Sequence, residues 1–320
     1  MKYIYLIVTS LLLISCQCNS NNNGNLTENS AVPQRVVCMS STHIAAMEKL
    51  GLDSLIVGVS GSEYISNELI IKGLSNGKIK DIGYESSLDF ETLVSLKPDI
   101  LFAYNISGEN SSVIEKVKRL GIKTVVINDF HKNTPIERVE SIRIIGEIFG
   151  YSNRADSIIE EITNSYNYLK ELTKGIEKKK ILLNTPWKGT WYIPGRENYF
   201  NMMIEDAGGI IVGSKEGKVE SHPYDTEEIL KYSKDCEIWI LQNNITSIQE
   251  LILSNHLFKD FAPLITGNVY NNTLKINNKG GNDYWERGAV EPEKILEDLI
   301  RIIHPELLED GLFHYYERIY

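Results

Sequence analysis

Residues 89–101, DFETLVSLKPDIL, decide the fold of this 320-residue chain. Residues 90–96 have the apolar spacing of a short helix, and Lys97-Pro98 ends it because proline disfavours a helical conformation at the preceding residue. Residues 99–104 are then predicted to form a buried strand. A helix that runs directly into a buried strand is typical of the βαβ unit of a parallel sheet.

The same alternation of strands and helices occupies both halves of the chain. Between the halves, residues 152–172 carry apolar side chains at helical spacing over about six turns. The predicted fold is therefore α/β, with two Rossmann-like lobes of parallel-rich sheet joined by one long helix. The N-terminal lobe is predicted to cover residues 34–150, the connecting helix residues 151–176 and the C-terminal lobe residues 177–320.

The N-terminal residues predict export and lipid attachment. Lys2 precedes an apolar run that is too short for a transmembrane span. Leu13-Ile14-Ser15-Cys16 resembles the bacterial lipoprotein processing box, which implies a signal peptide of residues 1–15 and a lipid on Cys16. Residues 16–33 would then be the lipidated cysteine and a disordered polar tether. The alternative is an ordinary secretory signal in which Cys16 is incidental.

Composition and missing motifs exclude several classes of protein. The net charge of −10 at pH 7 disfavours binding to nucleic acid or directly to anionic lipid, so the lipid anchor is the expected membrane contact. Cys38 and Cys236 lie in apolar strand-like runs and are predicted to be buried free thiols. The sequence lacks a P-loop, a Gly-x-Ser-x-Gly elbow and a His-Glu-x-x-His motif, which argues against ATPases, serine hydrolases and metalloproteases.

Residues 89–101 also resemble a signature of the substrate-binding proteins of ABC importers for iron chelates and vitamin B12. In that family a helix carrying an acid runs into Leu-Lys-Pro-Asp and then a buried strand. Further matches follow in the family's order: Ser40-Ser41-Thr42, the long connecting helix, Ala207-Gly208-Gly209 and the final helix into His304-Pro305. The resemblance covers the chain from Pro33 onward. It implies the helix-linked class of this family, with a ligand cleft between the lobes.

The resemblance also implies a function. The chain would be a monomeric, lipid-anchored substrate-binding protein without an intrinsic cofactor, and not an enzyme. It would capture an iron–siderophore, haem or a cobalamin-type corrinoid. It would deliver this metal chelate to the permease dimer of an ABC importer and its ATPase, at the periplasmic face or the outer face of the cytoplasmic membrane.

Two acids match the residues with which the family docks its permease. Glu91 matches the acid in the N-lobe helix, and Glu227 matches its C-lobe counterpart. One acid on each lobe would let the permease sense the separation of the lobes. The alternative is that both are ordinary solvated acids favoured by the helix macrodipole.

Ligands of such folds bind in the loops that follow the strands, between the lobes. Those loops are rich in aromatic rings, which suits a flat, bulky, partly apolar ligand held by stacking and by Arg or Tyr hydroxyl anchors. The predicted ligand-binding residues are Thr42, His43, Tyr64, Tyr84 and Tyr104 from the N lobe and Trp187, Tyr192, Arg196, His222, Tyr284, Trp285 and Arg287 from the C lobe.

Residues 280–288, GGNDYWERG, are the most unusual of these loops. They resemble the segment before the last helix in B12-binding members of the family. Tyr284 and Trp285 are predicted to form a stacking wall, and Asp283 and Arg287 to orient the ligand by charge. The glycines would leave room for the loop to approach a bulky ligand. The alternative is that one of the two rings points into the core.

Two histidines raise the question of metal ligation. An imidazole from each lobe, His43 and His222, could ligate the metal of haem or cobalamin axially. The plainer interpretation is a first-turn polar residue and a surface loop residue. Direct binding of free zinc is not expected, because it needs several clustered histidines and carboxylates.

Two other functions stay open at this point. One is a chelatase-like enzyme on the same two-lobed fold, against which the export signal argues. The other is an adhesion or structural lipoprotein that transports nothing.

Overall fold

Residues 89–101 form the expected helix and strand in the computed structural model. Asp89 accepts a hydrogen bond from the Thr92 N–H at 2.9 Å, which caps the first turn of the helix. Lys97 follows the helix with a positive φ of 47°, and the next strand begins at Ile100. All four residues of that strand are buried. The local pattern therefore predicted both elements and the turn between them.

The structure describes residues 32–106 and 108–320. The predicted signal peptide (residues 1–15), the lipid-accepting Cys16 and the tether up to residue 31 lie outside the described residues. Val32–Tyr320 form one compact unit, which contains both lobes. Within this part of the chain, no helix combines the length and the apolar character needed to cross a membrane.

The described residues contain twelve strands and twelve α-helices. The strands are β1 Val36–Cys38, β2 Ile56–Val59, β3 Lys80–Asp81, β4 Ile100–Ala103, β5 Thr124–Val126, β6 Lys179–Leu183, β7 Trp191–Ile193, β8 Gly209–Ile211, β9 His222–Tyr224, β10 Ile238–Leu241, β11 Val269–Asn271 and β12 Glu317–Arg318. The helices are α1 Ser41–Lys49, α2 Glu68–Ser75, α3 Phe90–Ser95, α4 Ser111–Arg119, α5 Glu140–Phe149, α6 Ser152–Leu172, α7 Tyr199–Asp206, α8 Thr226–Ser233, α9 Ile248–Ser254, α10 Ala262–Ile265, α11 Asp283–Glu286 and α12 Pro292–Ile303.

Each lobe is built on a five-stranded sheet. The N-lobe sheet has the order β3-β2-β1-β4-β5, and all its strand pairs are parallel. The C-lobe sheet has the order β12-β11-β10-β6-β8, in which only the β11–β12 pair is antiparallel. A separate two-stranded antiparallel sheet pairs β7 with β9. The predicted α/β class with two parallel-rich sheets is therefore confirmed.

Helix α6 connects the lobes and contributes to both cores. Its buried side chains recur at helical spacing along one face. Ala155, Ile159 and Ile162 pack in the core of the N lobe. Tyr166 and Leu169 pack in the core of the C lobe. Because one continuous helix is anchored in two cores, its ends cannot move independently.

The two cysteines of the described region are buried in strand and loop positions, as the apolar runs predicted. Cys38 and Cys236 are free thiols. Burial raises the pKa of Cys236 to about 12 and the pKa of Cys38 still further. Neither thiol is reactive at neutral pH, so both are packing residues.

Candidate ligand-binding cleft

The carboxyl ends of the two sheets face each other at the lobe junction. The segment after β2 contacts the loop after β11 and helix α11 through several hydrogen bonds. Asn277 Nδ2 donates to the Ile65 carbonyl at 2.8 Å, and the Ser66 N–H donates to the Glu286 carboxylate at 2.7 Å. Loops at the carboxyl ends of parallel strands form the ligand sites of open α/β sheets. The candidate cleft therefore lies between these two sets of loops.

The N-lobe wall of the cleft is a hollow of about 200 Å³ without a charged side chain. It is lined by Met39, Ser40, Ser41, Ser60, Gly61, Tyr64, Tyr84 and Tyr104. The structure therefore brings together the three predicted N-lobe tyrosines. The rings of Tyr64 and Tyr84 meet edge to face with centroids 6.4 Å apart, and both are exposed, at 62% and 39%.

Gly61 and Ser60 give this wall its shape. Gly61 has a φ of 65°, a left-handed conformation that side chains rarely adopt, and it turns the chain directly after β2. The Ser60 hydroxyl donates to the Gly83 carbonyl at 2.7 Å and ties the loop after β2 to the loop after β3. These two loops carry Tyr64 and Tyr84, so the tie holds the two rings together.

The C-lobe wall presents a second aromatic pair. Trp187 follows β6 and Tyr192 lies in the middle of β7; their rings are 6.5 Å apart. They are 63% and 42% exposed, whereas Trp191 next to them is fully buried. The alternation of strand side chains turns one neighbour inward and the other outward. Lys188 lies 4.4 Å from the centroid of the Trp187 ring and adds a positive charge to this wall.

Thr42 and His43 do not line the N-lobe hollow, although both were predicted to contact the ligand. Thr42 lies in the first turn of α1 and hydrogen-bonds to the Ser40 hydroxyl, so its neighbours Ser40 and Ser41 line the hollow instead. His43 is fully buried, and its Nε2 lies 3.3 Å from the Ile127 carbonyl. Burial lowers the pKa of His43, so the imidazole is neutral. His43 is therefore a core residue, and the predicted ligand contact and axial ligation are corrected.

His222 is half-buried at the start of β9, opposite Ile193 of β7. Its Nε2 is buried without a hydrogen-bond partner. This nitrogen does not face solvent, so axial ligation by His222 stays a prediction that would need the ring to turn. Among the residues that the structure describes, no three His, Cys, Asp or Glu side chains come together as a metal site.

Arg196 is used inside the C lobe. Its guanidinium donates to Glu205 at 2.8 Å and pairs with Glu216, and the hydrogen bond that Glu205 accepts is the main cause of the raised pKa of Arg196. Arg196 lines a groove beside the edge strand β8 together with Lys180 and Tyr232. The prediction that Arg196 anchors a ligand is therefore corrected, because its charge is already neutralised at a different surface.

Tyr284 is a core residue and not part of a stacking wall. It is 3% exposed, its hydroxyl accepts a hydrogen bond from Gln242 Nε2 at 2.9 Å, and its ring packs against Tyr315 and Tyr316. Burial raises the pKa of Tyr284. The alternative that one of the adjacent rings points inward is thus confirmed. Trp285 is 46% exposed and lines a narrow crevice at the lobe junction.

Arg287 and its acidic neighbours join the lobes. Arg287 donates to Glu48 of α1 at 3.0 Å and to Asp283 at 3.2 Å, so it is not free to orient a ligand and this prediction is corrected. Lys49 of α1 pairs with the buried Glu291 at 2.6 Å. Residues 277–291 of the C lobe thus contact two parts of the N lobe, helix α1 and residues 65–67. We call these contacts together the inter-lobe clamp.

Two of the buried acids of the inter-lobe clamp have pKa values that are shifted in opposite directions. Glu286 is 1% exposed, and its burial raises its pKa to about 7 against the hydrogen bonds that it accepts. Burial would also raise the pKa of Glu291, but hydrogen bonds from Lys294, Lys49 and Tyr315 outweigh it and lower the pKa to about 2. The difference arises because cations surround Glu291, whereas only neutral donors contact Glu286.

Glu91 and Glu227 occupy matching places in the two lobes. Each is the exposed second residue of a helix whose cap is an aspartate: Asp89 for α3 and Asp225 for α8. Each helix leads into a strand that pairs with the first strand of its own lobe, β4 with β1 and β10 with β6. The sequence resemblance thus singled out two positions that the fold makes equivalent.

The sequence did not reveal Ser40, Ser41, Ser60 and Gly61 as cleft residues, nor Glu48 and Lys49 as clamp residues. The rule that sites follow strands does select the first four, which directly follow β1 and β2. Choosing by aromatic character overlooked them. Nothing in the local sequence distinguishes Glu48 and Lys49, because their partners lie more than two hundred residues away.

The sheet topology, the single connecting helix and the cleft at the carboxyl ends of the strands define a two-lobed binding protein. The model of the family described as periplasmic binding protein matches residues 36–273. The chain belongs to this family. The family membership predicted from residues 89–101 and the order of the other segments is thereby confirmed.

Relatives with lipoprotein names are similar over much of the chain. An uncharacterized lipoprotein of Methanocaldococcus jannaschii is 25% identical over 292 residues, which cover 88% of this chain and 68% of the relative. The uncharacterized ABC transporter substrate-binding lipoprotein YvrC of Bacillus subtilis is 24% identical over 176 residues, covering 54% of this chain and 53% of the relative. The chain spans about two thirds of the first relative and about half of the second.

Solved structures share the fold at low identity. A periplasmic heme binding protein from Pseudomonas aeruginosa has a TM-score of 0.66 at 16% identity, covering 87% of this chain and 95% of its own. A possible iron-binding protein from Staphylococcus epidermidis has a TM-score of 0.64 at 18% identity, covering 86% and 100%. The periplasmic vitamin B12 binding protein of Vibrio cholerae has a TM-score of 0.59 at 13% identity, covering 85% and 96%.

Proposed function

We propose that this chain is a lipid-anchored substrate-binding protein that captures a metal chelate and delivers it to an ABC importer. The observation that carries the proposal is the presence of exposed aromatic pairs on both lobes: Tyr64 with Tyr84 on loops of the N lobe, and Trp187 after β6 with Tyr192 in β7. Rings that remain exposed at a cleft are available to stack on a flat ligand.

The chemistry of the two walls favours a large ligand with a flat, mostly apolar body. The eight residues of the N-lobe hollow supply hydroxyl groups and rings but no charge. The ring of Trp187 and the ammonium of Lys188 supply a stacking face and one cation on the C-lobe wall. Haem and a cobalamin-type corrinoid combine such a body with polar edges, whereas a ferric siderophore, which is rounder and more polar, would use the rings and hydroxyl groups at its edges. The names of the similar solved structures point to the same three ligand classes.

A ligand panel tests this function. The full chain in lipid nanodiscs is titrated separately with haemin, cyanocobalamin and several ferric siderophores, while absorbance and melting temperature are recorded. The true ligand should shift its absorbance bands and stabilise the fold by about 2.7 kcal/mol at a hundredfold excess over Kd. No response to any of these chelates would overturn the proposal and favour an adhesion or structural role.

Docking to the permease is proposed for Glu91 and Glu227. One exposed acid at the equivalent position of each lobe suits a permease made of two subunits with basic pockets. Exposed ion pairs contribute only about 0–1 kcal/mol, so these acids would set the register of a larger contact. Glu91→Lys and Glu227→Lys should leave ligand affinity unchanged and abolish uptake, whereas Glu160→Lys, at an exposed acid of α6, should not change uptake.

Anchoring through Cys16 is proposed from the lipoprotein box and from the lipoprotein names of the relatives. It would place the protein in the cell envelope, on the periplasmic side or the outer face of the cytoplasmic membrane. Cys16→Ala should move the protein from the membrane fraction to the soluble fraction without changing ligand affinity. A variant that stays in the membrane fraction would contradict the lipid anchor.

A further inference from the structure

One segment of the N lobe is held by both lobes. Residues 61–67 begin at Gly61, whose N–H donates to the Gly83 carbonyl at 3.3 Å within the N lobe. They end at Ser66 and Asn67, whose backbone N–H groups both donate to the carboxylate of Glu286 in the C lobe, at 2.7 and 3.0 Å. Tyr64, an aromatic ring of the cleft wall, lies between the two attachments.

Glu286 is placed for this contact alone. Its side chain is buried, and each of its two carboxylate oxygens accepts one backbone N–H from the opposite lobe. A buried carboxylate needs such donors because it has lost its water. Next to it, Asp283 accepts a hydrogen bond from the Ser66 hydroxyl at 3.2 Å, and Asn277 donates to the Ile65 carbonyl.

Gly281 shows how closely the lobes approach here. A Cβ added to this residue would lie 2.4 Å from the carbonyl oxygen of Ile65 and 2.7 Å from its carbonyl carbon. Both are backbone atoms, which cannot swing aside. The glycine therefore gives room for contact with the N-lobe backbone, and the expectation that it makes room for a ligand is corrected.

The ring of Tyr64 has little packing of its own. It is 62% exposed and touches Tyr84 only by its edge. Its position is therefore set by the backbone of residues 61–67, and one end of that backbone follows the C lobe. By contrast, Ile65 between Tyr64 and Ser66 is buried in the N-lobe core and keeps the segment from detaching as a whole.

We propose that Glu286 is a positioning residue of the ligand cleft, which holds the segment of residues 61–67 across the lobe junction and thereby fixes the ring of Tyr64 relative to the C-lobe wall. The proposal rests on the proposed function only in treating Tyr64 as a ligand-facing ring. Two cleft walls on separate lobes keep a constant spacing at this point because one backbone segment is bonded to both.

The carboxylate is required because two donors face it. Glutamine has nearly the same shape, but it offers one acceptor oxygen and one NH2 group. In Glu286→Gln, the NH2 group would meet a backbone N–H, and one hydrogen bond would be replaced by an unfavourable contact between donors. Asn277→Asp is a second variant, because it removes the donor to the Ile65 carbonyl and keeps the acceptor oxygen that Lys279 and Gly281 use.

Hydrogen exchange on the ligand-free full chain tests the contact. In Glu286→Gln the amides of Ser66 and Asn67 should exchange at least about tenfold faster than in the wild type. The control is Asp298→Asn: Asp298 is a fully buried carboxylate that accepts the backbone N–H groups of His314, Tyr315 and Tyr316 within the C lobe. The Asp298→Asn variant should accelerate amide exchange at residues 314–316 and leave the exchange rates of residues 61–67 unchanged.

A fluorotyrosine placed at position 64 tests the positioning. Its 19F resonance should be a single line in the wild type and in Asp298→Asn, and it should shift or split in Glu286→Gln and in Asn277→Asp. An unchanged resonance in both clamp variants, with Ser66 and Asn67 exchanging faster, would overturn the positioning role and leave a purely structural contact. Unchanged exchange in both variants would overturn the contact itself.

A ligand measurement then separates this proposal from the proposed function. For a chelate that binds the wild type, Glu286→Gln should weaken binding severalfold, and this loss should disappear in a Tyr64→Ala background. An equal loss in both backgrounds would overturn positioning through Tyr64. If no chelate binds, the proposed function fails, and the exchange and fluorine results still decide whether Glu286 holds residues 61–67.

Discussion

The two sides of the lobe junction are built from opposite kinds of side chains. On one side, the inter-lobe clamp buries acidic side chains. Glu286 accepts backbone N–H groups, Glu291 pairs with Lys49, and Asp283 pairs with Arg287. On the other side, the cleft walls expose Tyr64, Tyr84, Trp187 and Tyr192 without charged partners apart from Lys188. Both sides include segments that follow strands, so a position after a strand does not by itself separate them.

Burial and pairing separate a contact that holds the lobes from a surface that binds a ligand. A buried charged group whose hydrogen bonds are all made within the protein is not available to bind a ligand, and removing it destabilises the fold. An exposed ring is free to stack, and removing it leaves the fold nearly unchanged. The comparison predicts that variants on the clamp side change stability, and that variants on the cleft side change affinity.

The neighbours Tyr284 and Trp285 give the largest expected contrast. Tyr284→Ala should lower the free energy of unfolding by roughly 3–5 kcal/mol, because it leaves a cavity among Tyr315, Tyr316 and Gln242. Trp285→Ala should lower the free energy of unfolding by about 1 kcal/mol. The Trp285 ring is half-exposed, and its main loss is the edge-to-face contact with Tyr284, whose ring centroid lies 4.7 Å away. Equal losses in urea unfolding would contradict the assignment of one core ring.

Glu291 tests the electrostatics of the clamp. Its pKa of about 2, against an ordinary value of 4.5, implies that its ionised form contributes about 3 kcal/mol at neutral pH. Because the pKa is lowered in the folded state, this contribution is present above pH 4.5 and is lost as the pH falls towards 2. Glu291→Gln should lose it at pH 7 and flatten the acid dependence of stability, while Glu160→Gln, at an exposed acid of α6, should match the wild type.

The sequence predicted the features that depend on neighbouring residues in the chain. It did not predict those that depend on contacts between residues far apart in the sequence. The helix and strand of residues 89–101, the parallel-rich sheets and the connecting helix follow from local apolar spacing, and these predictions were confirmed. The family followed from a short segment and the order of others. The direction of a loop side chain does not follow in this way.

Tyr284 and Arg287 show why the site was harder to predict than the fold. Ser66 and Glu286 are 220 residues apart in the sequence, and Glu48 and Arg287 are 239 apart. Whether residues 280–288 face a ligand or the opposite lobe depends on contacts over these separations. His43 is a similar case, because its burial depends on the Ile127 carbonyl of a distant loop. Residue type alone indicated a binding loop in each instance.

Gly281 gives a smaller and more specific test of the clamp. Gly281→Ala should cost about 1–3 kcal/mol, because the new Cβ would press on the backbone of Ile65 in the other lobe. Gly288→Ala is the control from the same segment. The nearest atom to its new Cβ would be in the Ile295 side chain of the C lobe, 3.1 Å away, and this side chain can move. A loss from Gly288→Ala as large as that from Gly281→Ala would show that the close approach of the lobes is not what matters.

The cleft variants are expected to change stability least, and they test the central claim most directly. The measurement is the Kd of a responding chelate, with the melting temperature, for Tyr64→Ala, Trp187→Ala and the control Tyr168→Ala at an exposed site on α6. We expect binding to be about tenfold weaker or more in the two cleft variants, with unchanged melting temperatures, and to be unchanged in the control. Unchanged affinity in both cleft variants would contradict a ligand held between the aromatic pairs of the two lobes.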